Sequence, residues 1–113
     1  MVFKMIGYTP SSYEEWKEIM KRELNKAKNF EIRCWNEEEE QIKLALCFGE
    51  IQPSDLMFEK IIAGEVTQEF GDHILQSPEP KDKEIYDKFT PYFSIFLDHG
   101  FSSEHYGTEI YKR

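Results

Sequence analysis

Three histidines each follow an acidic residue, as Asp72-His73, Asp98-His99 and Glu104-His105. A carboxylate beside an imidazole can raise its basicity or help fix a metal ligand. The spacing speaks against both uses, because neighbours on a strand or helix point in different directions and paired helical ligands stand three or four residues apart. With 22 Asp and Glu in 113 residues, such adjacency also arises by chance. The histidines are therefore assigned to the surface or to caps, and no metal site is expected.

Nucleophile chemistry has little to start from. Cys34 and Cys47 are the two cysteines. A hairpin turning near Glu38 and Glu39 would set Cys34 opposite Lys43, so no disulfide is expected between them. Zinc lacks a third and fourth ligand of suitable spacing. Both read as reduced residues packed as small hydrophobes. Neither has a histidine close in sequence, although such partners can meet in space. No G-x-S-x-G, Walker loop or dinucleotide glycine fingerprint occurs, and the six glycines are scattered. Carboxylates able to act as general acid and base are plentiful, but abundance is not placement. The expectation is a non-enzymatic protein without a cofactor.

What stands out is CWNEEEEQIKLALC, residues 34 to 47, with four consecutive glutamates after a tryptophan. Like charges repel in a compact turn and gain nothing from burial. They could simply keep a hairpin end soluble and protect it from edge pairing. An acidic projection beside an outward Trp also couples electrostatic steering to an aromatic anchor. The candidate partner-binding residues are Trp35 as anchor, Glu37, Glu38, Glu39 and Glu40 as the steering cluster, and additionally Asp98 and Glu104.

The elements that must carry these residues follow from periodicity. Ser12 and Glu15 form the S-x-x-E pattern of a capping box, and Tyr13, Trp16, Ile19, Met20, Leu24 and Ala27 recur at spacings of three and four. A long amphipathic helix is expected there. From Phe30 the period becomes two: Phe30, Ile32 and Cys34 face one way, Glu31, Arg33 and Trp35 the other. Ile42, Leu44, Leu46 and Phe48 alternate again after the acidic turn. This predicts an antiparallel hairpin packed on the first helix. Pro53, Ser54 and Asp55 look like a helix start, with Phe58, Ile61 and Ile62 as its buried side and Gly64 as its end. Residues 65–76 suit another helix, although Gly71 weakens it and Val66, Thr67 and Phe70 would also suit a strand. Ser77 to Lys81 reads as a linker. Ile85 to Leu97 follows helical spacing, interrupted at Thr90-Pro91 and stopped at Gly100. Glu104 to Lys112 alternates as a final strand. The expected fold class is α+β: a long N-terminal amphipathic helix on a small antiparallel sheet, with further short helices and a C-terminal strand, as one domain over residues 1–113.

Composition narrows the partner. Lys plus Arg total 14 against 22 Asp plus Glu, a formal charge of −8, so direct binding to nucleic acid works against the average field. No apolar run is long enough for a bilayer, and MVFKMIGYTP lacks the features of a secretory signal, so the cytoplasm is the expected compartment. Aromatic residues make up 15% of the chain. Tyr and Trp anchor interfaces, while acidic residues steer toward basic partners.

In size, charge and lack of catalytic signature, and in the acidic turn Glu37 to Glu40 beside Trp35, the chain resembles the small acidic immunity proteins. Bacteria use these to neutralise nuclease toxins in contact-dependent inhibition and bacteriocin systems. The resemblance implies a role, stoichiometric occlusion of a cognate basic toxin, and no residue assignments. Three alternatives stand beside it: a nucleic-acid-mimic inhibitor of phage or plasmid origin, an accessory subunit of a larger complex, and a small hydrolase or metal-binding enzyme using the histidines. A mimic would need a regular acidic stripe, whereas Lys17, Lys21, Arg22 and Lys26 interrupt the acidic residues of the first helix.

Overall fold

A computed structural model of the chain describes residues 6–54, 56–81 and 88–112. In order, the elements are β1 (Ile6–Tyr8), α1 (Tyr13–Leu24), β2 (Asn29–Trp35), α2 (Glu39–Ala45), β3 (Glu50–Gln52), β4 (Glu59–Glu65), α3 (Gln68–Gln76), β5 (Ser94–Leu97), β6 (Phe101–Glu104) and β7 (Glu109–Lys112). The architecture is α+β. All seven strands pair antiparallel in one sheet ordered β1-β7-β6-β5-β2-β4-β3. The sheet is thus large where a small one was expected, and α1, at 12 residues, is of ordinary length. Among the described residues no helix is long and apolar enough to cross a membrane.

Helix α1 forms where its capping signal lies. The Ser12 hydroxyl accepts from the Glu15 amide at 3.1 Å. Glu15 reaches back one residue further than a capping box requires, accepting from the Ser11 amide at 2.7 Å and from the Tyr8 hydroxyl at 2.8 Å. That carboxylate fastens β1 to the helix start. Trp16, Met20 and Leu24 of the stripe are buried, with Tyr13, Ile19 and Ala27 partly so. Strand β2 keeps its expected alternation: Phe30, Ile32 and Cys34 are buried, while Glu31, Arg33 and Trp35 are half-buried on the opposite face.

The register sorts the whole sheet into two faces. Phe30 pairs across with Gly64 and Leu97, and Ile32 with Ile62 and Ile95; Leu97 then faces Phe101, and Ser103 faces Ile110. These residues share one side, and their apolar members join Trp16, Met20, Phe70 and Ile74 of the helices in the core. Helices therefore cover that side. The other side carries Glu31, Arg33, Trp35, Ser94, Phe96, Ser102, Glu104, Glu109 and Tyr111.

Several expected elements are replaced. The second arm of the predicted hairpin is helix α2, so β2 pairs with β4 and β5 instead. Glu39 and Glu40 occupy the first turn of α2, where the helix dipole favours negative charge. The helix expected over Pro53 to Gly64 is strand β4, because Ile61 and Ile62 are β-branched and lie between β2 and β3. Helix α3 starts later than residue 65: the Thr67 hydroxyl caps it by accepting from the Phe70 amide at 3.1 Å. A Cβ at its Gly71 would meet open space, so packing does not require glycine there. No helix or strand forms over Ser77 to Lys81. Of the helices expected over Ile85 to Leu97, residues 85–87 lie outside the described residues, and Ser94–Leu97 is strand β5. Gly100, at φ 87°, belongs to the β5–β6 turn and ends no helix. The expected final strand is split by a turn in which His105 and Tyr106 take positive φ of 50° and 60° before Gly107. Only Glu109–Lys112 forms the last strand.

One carboxylate ties α1 to the sheet. Glu23 is fully buried, and its oxygens lie 2.8 Å from His99 Nε2, 3.0 Å from Lys112 Nζ, 3.1 Å from Arg22 Nε and 3.8 Å from Lys26 Nζ. Burial alone would raise its pKa, but hydrogen bonds from His99, Lys112 and Arg22 hold it down at about 2.

Candidate protein-docking surface

Trp35 ends β2 on the face without helices. Its ring stacks on Phe58 at 5.5 Å and meets Phe93 at 4.9 Å and 57°; Phe93 in turn sets its edge against His105 and Tyr106. Trp35 is consequently a half-buried layer under Phe58. The parts that project further are Leu56, Met57 and Phe58 in the β3–β4 loop, 44, 92 and 49% exposed. The loop is held in place: the Asn36 amide donates to the Phe58 carbonyl at 3.0 Å and Asn36 Nδ2 to the Met57 carbonyl at 2.7 Å. The Ser54 hydroxyl accepts from the Leu56 amide and donates to Glu59 Oε2 at 2.8 Å.

The acidic run divides by role. Glu38 accepts from the Trp35 amide at 2.9 Å and from the Tyr106 hydroxyl at 3.0 Å, joining β2 to the β6–β7 turn. Glu37, Glu39 and Glu40 are exposed. No cation among the described residues pairs with them. The acidic run thus follows directly on Asn36, the residue bonded to the loop that carries Met57 and Phe58. Of the steering cluster, Glu38 alone has side-chain partners among the described residues.

Asp98 and Glu104 lie apart from this tip. Asp98 accepts from the Lys28 and Asn29 amides at 3.0 Å each and from Asn29 Nδ2 at 3.2 Å. The Lys28 amide, then the Asn29 groups, hold its carboxyl below the usual range. It sits beside Asn29, the end of β2 opposite Trp35, roughly 20 Å away at strand rise. Glu104 accepts from the Ser102 hydroxyl at 2.8 Å and lies across from Ser94 and Glu109. Both belong to the helix-free face, so that face, and not the tip, is what they share with Trp35.

The histidines do not converge. His73 Nε2 lies 2.6 Å from the Tyr92 hydroxyl, and its ring stacks on Phe48; burial pushes its pKa down. His99 meets Glu23 and His105 pairs with Glu109, so each spatial partner differs from the neighbour in sequence. Among the described residues no group of three or more His, Cys, Asp and Glu is placed to hold a metal ion. Cys34 is buried and free, its thiol pushed up to about 12 by burial and by the charge of Glu38. Cys47 is also free but exposed, where packing as a small hydrophobe was expected.

Sequence reading missed Met57 and placed Phe58 inside a helix. The signal was present as an apolar triplet, Leu56-Met57-Phe58, just after a Pro-Ser turn. Comparison of the chain with protein-family models, curated proteins and solved structures found no match.

Proposed function

We propose that this chain is a non-enzymatic binding protein that captures a basic protein at the loop tip formed by Trp35, Met57 and Phe58. Glu37, Glu39 and Glu40 steer the approach. The observation that carries the reading is Met57, 92% exposed beside Phe58 of the Trp35 stack, in a loop bonded to Asn36 at the start of the acidic run, whose Glu37, Glu39 and Glu40 pair with no cation among the described residues. Leu56, Met57 and Phe58 are consecutive exposed apolar residues, a patch that marks an interaction site, and the neighbouring run of like charge selects a partner of opposite sign. Among acidic binders of this size, an immunity protein that occludes a nuclease toxin in the producing cell fits best. Carboxylates would then lie where the toxin expects phosphates. The test is inhibition: a basic nuclease recovered with the protein should lose activity at one equivalent and regain it with the Met57→Asp, Trp35→Ala variant. A recovered nuclease that keeps full activity at excess protein rules the immunity role out.

A further inference from the structure

The side of the sheet turned away from the helices is the second large surface of the molecule. Its outward residues on adjacent strands include Glu50, Glu65, Glu59, Glu31, Glu104 and Glu109, against Arg33 as the one outward cation on the described strands. Arg33 is itself committed. Its Nε lies 2.9 Å from Glu31 Oε2, an Nη lies 3.9 Å from Glu59, and the guanidinium lies 5.1 Å from the Phe96 ring centre. Glu31, Arg33 and Glu109 side chains are 36, 38 and 39% exposed and Glu59 is 11% exposed, while the small Ser94 and Ser102 form a buried floor.

We infer that this face is a docking surface for an arginine- and lysine-rich protein surface, drawn by the excess of outward carboxylates over the single outward cation on the described strands. The occupant follows from charge. A second copy would bring its own glutamates against these, and nucleic acid would meet the same repulsion. A cationic protein surface, in contrast, meets six outward glutamates against one outward arginine, so charge complementarity favours it. Trp35 makes the face continuous with the tip, so the inference rests on the basic-partner reading and enlarges its footprint from a loop to a sheet. It also gives Asp98 and Glu104, far from the tip, one surface in common with Trp35.

The experiment is an amide-resolved NMR titration of the full chain with a nine-residue arginine peptide, with a serine peptide of equal length as control, at low and moderate salt. Shifts are expected to concentrate on Glu31, Phe96, Asp98, Ser102 and Glu104, to exceed those on α1 and α3, and to be absent with the serine peptide. A Glu31→Lys, Glu104→Lys variant should weaken the peptide by at least about tenfold, with its amide spectrum otherwise preserved. Shifts spread evenly over all acidic residues, or centred on the helices, overturn the inference. Shifts confined to Glu37, Glu39 and Glu40 overturn it too but leave the tip reading standing. No cation-specific shift anywhere removes both.

Discussion

Replacing Glu23 by Gln tests the charge hub that fastens α1 to the sheet. The carboxylate is fully buried, and its pKa falls from 4.5 to about 2. At about 1.4 kcal/mol per pKa unit, that fall is worth about 3 kcal/mol at neutral pH. Arg22, Lys26 and Lys112 are 61, 50 and 41% exposed, so salt trims the sum toward about 2 kcal/mol. Because the folded value is depressed, this stability is complete above pH 4.5 and is lost as pH falls toward 2. Urea unfolding of wild type and Glu23→Gln at pH 7 should therefore differ by about 2–3 kcal/mol, with the gap narrowing at pH 4 and down to about a quarter of that by pH 2.5. A gap under about 0.5 kcal/mol at pH 7, or one as wide at pH 3 as at pH 7, refutes the reasoning.

Burial lowers the pKa of His73 below 6.5, so the fold favours its neutral ring; that contribution is full above 6.5 and is lost as pH falls through the folded value. The melting temperature should drop between pH 7.5 and 5 in wild type and less in His73→Gln, as read by circular dichroism. Thiol titration should find one fast-reacting group, Cys47, in the native protein and two in urea, since Cys34 is buried with its thiol raised to about 12. With a recovered partner, Glu37→Gln, Glu39→Gln, Glu40→Gln together should slow association about tenfold at low salt and flatten its salt dependence. Trp35→Ala should mainly speed dissociation. Glu38 is left out of that set because its loss would disturb the Trp35 amide and the Tyr106 hydroxyl.

Period and capping made α1 and β2 legible: both put the expected residues in the core. The failures have two physical sources. In QIKLALCF, Ile42, Leu44, Leu46 and Phe48 alternate like a strand, yet Ile42 and Ala45 also lie three apart among good helix formers. The neighbouring glutamates, favourable at a helix N-terminus, decided for the helix. The apolar parts of β4, Ile61 to Ala63, and of β5, Ile95 to Leu97, are short runs, and periodicity alone does not separate such a strand from a buried helix. Pairing with β2, distant in sequence, made them strands. The site was half legible for the same reason. Trp35 and the acidic run stand out locally, but Met57 and Phe58 join them only because β4 returns beside β2, bringing Phe58 onto the Trp35 ring. The face shared by Asp98, Glu104 and Trp35 depends on the register of β5 and β6, which no local pattern announces.

The most direct measurement is capture from the native lysate with tagged wild type beside tagged Met57→Asp, at low and moderate salt, with quantitative mass spectrometry of the retained proteins. Met57 is 92% exposed, so the substitution should leave the fold intact and change only what the tip can cover. The account predicts a basic, nuclease-sized polypeptide in near-equal amount on the wild type, weakened by salt and lost from the variant. The same protein retained equally by both, or nothing retained by the wild type at either salt, would contradict it.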